Sequence, residues 1–389
     1  MKKLLFLILS VFCFFGCSST KLSGKTDYSW KAFTEKYKIN PEYKGKKIIL
    51  DSDLMYFNDD TFTLFELLKL RQYGYVDILG ITTAGGNTIS SAAAYDFLAI
   101  LDHLSVKDIP VYVGNDVPLD GFKDIHEILS NTGNMDWTGT YALLDNYTKD
   151  YIEAAQRQVT HSNNFLEKPV SKPAAGNAAD FIVQSINSNP GNVVIVAIGG
   201  LTNIAEALQK DPSIAKKAYG IVYMGGVFDA HGENLENVEI NWWYDPKATQ
   251  TCLTAGWNKQ LVVPHDAALS ALVKDDVWKR YKAKDNSAIT HLINRDENGY
   301  FTKYPFLKLS WCWDPITVAV MACPDIIDKM DERNVAVESK MGFAYGSTLN
   351  WYPKYAPNNT GKCNVVLSIK RDMFWDFISD LYALDDAQR

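Results

Sequence analysis

The feature that most constrains the fold is a series of short apolar runs, each of strand length, alternating with segments whose apolar residues recur at helical spacing. Residues 47–51, 76–82, 109–113, 193–198, 220–224 and 261–264 are apolar or β-branched almost throughout, as strands buried on both faces must be. Between them, 62–70, 91–101, 178–186 and 203–208 place apolar side chains three and four apart, the signature of a helix packed on one side. This alternation predicts an α/β fold with a mostly parallel central sheet covered by helices on both faces. Such sheets take their ligands at the carboxyl ends of the strands. The informative residues are therefore those that follow each run: 51–60, 82–87, 198–203, 224–226 and 265–266.

The first of these edges is crowded with acid. Asp51, Asp53, Asp59 and Asp60 fall within ten residues, between the first strand and the first helix. Helix capping accounts for one or two of them, at ~1 kcal/mol each. Four carboxylates in one place repel one another and raise each other's pKa values unless a cation neutralises them. An all-oxygen ligand set with no nearby cysteine favours Ca²⁺ or Mg²⁺ over zinc. His265-Asp266 follows the last run and arrives at the same edge, where its carboxylate would complete the site, although such a pair also serves as a local structural contact. The Gly199-Gly200 turn brings a backbone carbonyl there, with Thr202 or Asn203 at the start of the next helix.

Composition narrows the partners. Lys and Arg total 39 against 46 acids, a net charge of −7, so no basic field exists to hold nucleic acid. A chain of 389 residues buries enough surface to fold without disulfides or a structural metal. Cys252, Cys312, Cys323 and Cys363 form no CxxC pair; buried thiols are the expectation, a disulfide between two of the last three the alternative.

The amino terminus has the layout of a secretory signal: Lys2 and Lys3, then an apolar run from Leu4 to Phe15, then small and polar residues. That run is well short of the ~20 residues a spanning helix needs. Phe14-Phe15-Gly16-Cys17 resembles a bacterial lipoprotein cleavage site. The resemblance implies a signal over 1–17, lipid on Cys17, attachment to a membrane through that lipid only, and an exported periplasmic or outer-membrane lipoprotein. Secretion after a cut near Ser18 or Ser19 is the alternative. Residues 18–45 read as a polar tether, and 46–389 as one catalytic domain with an insertion or lid at 120–172.

The segments ILDSDLMYFNDD, ITTAGGNT, VAIGGLTNIAEAL, VYMGG, VEINWWYDP, PHDAAL and WDPITVA, in that order across about 47–325, resemble the inosine–uridine-preferring nucleoside hydrolase family. The resemblance implies one bound Ca²⁺ and hydrolysis of the N-glycosidic bond of ribonucleosides, a small-molecule partner, with a homo-oligomer left open. By position it implies that Asp53 binds the metal and accepts a proton from the attacking water, that Asp60, the Ile198 carbonyl and Asp266 are further metal ligands, and that His265 protonates the leaving base. Asp59, Asn87, Met224, Asn234, Glu239 and Asn241 are implied to hold the sugar, with Glu233 competing with Asn234.

Two departures stand out. The acidic loop has five residues between Asp53 and Asp59, two more than the family spacing, lacks the family's Pro-Gly and must bulge, which would either shift Asp59 and Asp60 or set Tyr56 and Phe57 over the sugar. Trp313-Asp314-Pro315 has Trp where the family pattern has His, and is read as a helix start rather than a catalytic acid. Trp242 and Trp243 are expected in the core, with stacking on a base as the alternative. A related or modified glycoside as substrate, and a nucleoside- or sugar-binding lipoprotein without catalysis, are the competing functions.

Overall fold

A computed structural model describes residues 26–135, 137–143, 166–232, 237–295 and 312–386. Cys17 and the rest of the signal segment lie outside the described residues, as do Glu233, Asn234 and much of the 120–172 segment. Among the described residues, nine strands form one sheet in the order β3-β2-β1-β4-β5-β6-β9-β7-β8. They are β1 (Lys46–Ser52), β2 (Val76–Thr83), β3 (Val111–Val113), β4 (Val193–Ala197), β5 (Gly220–Met224), β6 (Gln260–Val263), β7 (Ile327–Val337), β8 (Thr348–Trp351) and β9 (Gly361–Ile369). From β3 to β9 every pairing is parallel; β7 runs antiparallel to both of its neighbours.

The parallel strands are apolar without interruption because each face meets a helix layer. Ile48 and Leu50 of β1, Val194 and Val196 of β4, and Val222 and Met224 of β5 belong to one core. Helices Asp59–Gln72, Ser90–His103, Pro315–Ala322 and Arg371–Tyr382 cover it. The intervening Ile49, Val193, Ile195, Ile221 and Tyr223 face a second core under helices Ala178–Ser188, Thr202–Lys210 and Pro246–Thr254. The period of two thus sorts side chains between layers, not between core and water.

The order of the strands locates a cleft. From β1 the chain winds outward through β2 and β3, then crosses back to β4 on the other side of β1 and winds away through β5 and β6. Connections therefore leave the carboxyl ends of β1 and β4 in opposite directions, opening a crevice between them.

One expectation needs correction, and one part of the sheet went unread. Within the 18–45 segment read as a tether, helix Trp30–Lys36 belongs to the fold: Phe33 and Tyr37 are buried against Phe377, and Trp30 stacks on Tyr73. The antiparallel strands β7 to β9 went unread because β7, IDKMDERNVAV, carries charges on its partly exposed face instead of an apolar run. Cys252, Cys312, Cys323 and Cys363 are all free and buried, and no helix among the described residues is long and apolar enough to cross a membrane.

Candidate active site

The acidic loop starts where β1 ends. Asp51 is buried, accepting hydrogen bonds from the Thr82 hydroxyl and from Asn203 Nδ2 at 2.9 Å. Asn203 also donates to the Thr83 carbonyl and accepts from the Asn115 amide, so it stitches three strand ends together and caps nothing; Thr202 instead donates to Asp245. Burial pushes Asp51 up to about 7. Two residues on, Asp53 Oδ2 accepts the Asn87 amide at 2.6 Å, while its buried Oδ1 has no hydrogen-bond partner among the described residues. Glycines are required around it: a Cβ on Gly86 would lie 2.0 Å from Asp53 Oδ2, and one on Gly199 3.0 Å from Asp53 Cγ.

The longer loop is accommodated by burying its apolar residues. Leu54 and Phe57 enter the core, Phe57 against Phe62 and Phe65, so Phe57 is not a cover for the sugar. Tyr56 takes up the turn at φ +63° with its amide held by Asp96. Asp59 and Asp60 are thereby delivered to the first turn of helix Asp59–Gln72, where the dipole favours negative charge.

Asp314 joins them, and Asp266 does not. One carboxylate oxygen from each of Asp59, Asp60 and Asp314 lies within 4.8 Å of the other two, all three residues being buried. Asp314 precedes helix Pro315–Ala322 without capping it; the helix start expected from sequence is present, but its acid points into the cluster. Asp59 Oδ2 accepts the Trp313 and Asp314 amides at 3.2 and 3.4 Å, so the amino ends of two helices converge on these acids. Asp266, expected as the distal metal carboxylate, instead accepts the amides of Phe228, Asp229 and Ala230 at 2.7 to 3.0 Å. Its charge is committed to that turn.

The electrostatics match a cation site. Burial pushes Asp60 up to about 7, with the charge of Asp59 adding to it, although the Ser52 hydroxyl donates to Asp60 Oδ1. Burial, then the charge of Asp60, holds Asp53 well above the ordinary carboxylate range; burial, then Asp59, Asp60 and Asp53, does the same to Asp314. Asp60 Oδ2 and Asn241 Oδ1, like Asp53 Oδ1, are buried without a hydrogen-bond partner among the described residues. Buried oxygens left this way carry a desolvation cost that a hard dication relieves, and the donor set is all oxygen.

Residues 48–376 match the family described as inosine-uridine preferring nucleoside hydrolase. The chain belongs to that family. It is thus a hydrolase of N-glycosyl compounds. Among its relatives, a probable uridine nucleosidase 1 of Oryza sativa subsp. japonica is 30% identical over 57% of this chain and 60% of that protein. A pyrimidine-specific ribonucleoside hydrolase of Escherichia coli is 25% identical over 86% and 96%. A solved plant nucleoside hydrolase shares the fold at a TM-score of 0.67 and 23% identity, covering 87% of this chain and 99% of that one.

In this nucleoside hydrolase the remaining site residues gather beside the cluster. Asn241 Nδ2 approaches the Ile198 and Met224 carbonyls at 3.4 Å and Met224 Sδ at 3.1 Å, which brings the ends of β4 and β5 to one point. Glu239 caps helix Ile240–Tyr244, its carboxylate accepting the Gly226, Asn241 and Trp242 amides; it shapes the turn around Asn241. Trp242 and Trp243 are core residues, Trp242 packed on Gly225 and Gly226. The described part of the 120–172 segment reaches the site: Thr140 binds the Gly86 and Thr88 carbonyls, and the Trp137 indole donates to Asn87 Oδ1 at 3.0 Å.

His265 is buried at the start of helix His265–Ser270, its Nδ1 accepting the Trp313 indole N–H at 3.0 Å. Trp313 and Asp314, read from the sequence as a helix start rather than as site residues, are the ones the structure adds. The Trp-Asp-Pro segment, an acid one residue before a helix-opening proline, marked the helix start and not the cluster its acid joins.

Proposed function

We propose that this hydrolase is a Ca²⁺-dependent ribonucleoside N-ribohydrolase that releases a free base and ribose. The observation that carries the reading is the convergence of Asp59, Asp60 and Asp314 with the unpartnered oxygens of Asp53 and Asp60 at the crevice between β1 and β4. Asp53, Asp60, Asp314 and the Ile198 carbonyl would hold the ion. Bound there, a hard dication supplies the charge that keeps the cluster ionised at neutral pH and orients and acidifies the attacking water.

The chain's own groups do the rest. The Asn87 amide fixes one oxygen of Asp53 and leaves the other to accept the proton of the water that attacks the anomeric carbon. As the C–N bond breaks, positive charge grows on the sugar, and the surrounding carboxylates stabilise it. Asp59 and the Asn241 amide oxygen take ribose hydroxyls, so a sugar lacking one leaves buried polar groups unpaired. His265 serves the departing base. Cys17 carries the lipid that places this activity on an exported, membrane-tethered protein.

A panel of purine and pyrimidine ribonucleosides, assayed for reducing sugar with and without chelator, tests the reading. Release that needs Ca²⁺ and falls by ~10²-fold or more in Asp53→Asn supports it. Nucleoside binding without sugar release would replace it with a binding protein.

A further inference from the structure

We propose that Trp313 is a positioning residue that fixes the tautomer of His265, holding the ring proton on Nε2. The catalytic meaning of this assignment rests on the hydrolase reading above; the geometry does not. An indole nitrogen donates and never accepts. With Trp313 Nε1 3.0 Å from His265 Nδ1, Nδ1 must present its lone pair, and the proton of the neutral ring sits on Nε2. The two rings lie 24° apart in plane, with centroids 6.2 Å from one another.

Both partners of this bond are anchored. The His265 amide donates to the Gly226 carbonyl at 3.0 Å, tying the residue to the turn after β5. The Trp313 amide donates to Asp59 Oδ2. Trp313 therefore links the acidic cluster to the imidazole, with its backbone on one and its side chain on the other. Rotation of His265, only 3% exposed, away from Trp313 would give up this hydrogen bond, a cost that biases the tautomer by about tenfold. Nε2 is thus a hydrogen-bond donor, suited to a leaving group that gains negative charge on a ring nitrogen or carbonyl oxygen, and unsuited to accepting a proton from it.

The test uses the full chain, loaded with CaCl₂ and labelled with ¹⁵N-histidine. Long-range ¹H–¹⁵N spectra at about pH 8, where an imidazole is neutral, report each ring's tautomer, with His265→Gln assigning the signal. The wild type is expected to show Nδ1 at the lone-pair shift and the proton on Nε2. Trp313→Phe, which keeps a ring and removes the donor, is expected to give a mixture of tautomers. On whichever nucleoside is turned over, it should lose roughly tenfold in kcat with KM within about twofold. An Nδ1–H signal in the wild type overturns the proposal, and that measurement stands even if Trp313→Phe folds poorly. A folded Trp313→Phe protein with an unchanged tautomer also overturns it. A Trp313-dependent tautomer in a wild-type protein that cleaves no nucleoside upholds the positioning role and sinks the hydrolase reading instead.

Discussion

Asp314→Asn and Asp266→Asn separate the two acids that compete for the role of distal metal ligand. Asp314 lies in the cluster with Asp59 and Asp60, so removing its charge relieves repulsion in the metal-free protein and removes a ligand. Asp266 accepts three backbone amides, so its amide variant weakens a turn and leaves the cluster intact. An ion present at 100 times its Kd stabilises the folded state by ~2.7 kcal/mol. With ~2.1 cal/mol/K of unfolding entropy per residue, a domain of about 340 residues converts that into a Tm shift of roughly 4 °C. In thermal melts with EDTA and with Ca²⁺, wild type should show that shift. Asp314→Asn should lose most of it while melting at or slightly above the wild type in EDTA. Asp266→Asn should melt roughly 3 °C lower in both conditions, for ~2 kcal/mol of weakened charge-assisted hydrogen bonds, and keep the full Ca²⁺ shift. Asp266→Asn abolishing the shift while Asp314→Asn retains it would refute this reading of the cluster.

Two further predictions follow from the acids and the amino terminus. Asp51 and Asp60 are each raised from 3.8 to about 7, so without metal the folded chain holds protons that the unfolded chain releases. Their contribution to stability is fully present below about pH 4 and lost as pH rises through about 7. The Tm in EDTA should therefore fall between about pH 5 and 8, and a rise over that window would contradict the assignment. For the proposed lipid anchor, Cys17→Ser should abolish labelling by a clickable palmitate in a bacterial host and release the protein from membranes; a labelled variant would refute lipidation at Cys17.

Much of the fold was legible because parallel strands buried on both faces have to be apolar along their whole length. Residues 47–51, 193–198 and 220–224 carry that requirement openly, and the strands they predict are β1, β4 and β5. β7 carries no such requirement, since its first half is exposed or half-exposed and tolerates Asp328, Lys329 and Asp331. Helix Trp30–Lys36 was hidden for the opposite reason: it buries only a few aromatics, too few to set a period against its polar surroundings.

The candidate site was legible in its residue types and not in their pairing. Asp266 and Asp314 both follow apolar segments or precede helices at the same edge, and a local reading weighs them equally. What separates them is the number of amides each carboxylate can reach. The turn at Phe228–Ala230 offers three donors to Asp266 and satisfies its oxygens with hydrogen bonds. Among the described residues, Asp314 lies with Asp59 and Asp60, and burial with the charge of these acids and of Asp53 holds its pKa well up. A carboxylate satisfied by amides gains little from a cation, whereas one stranded among carboxylates gains a great deal. The proposed ligand role therefore falls to the acid the fold sets among other carboxylates, a property of groups brought from distant parts of the chain that no window of sequence around either aspartate contains.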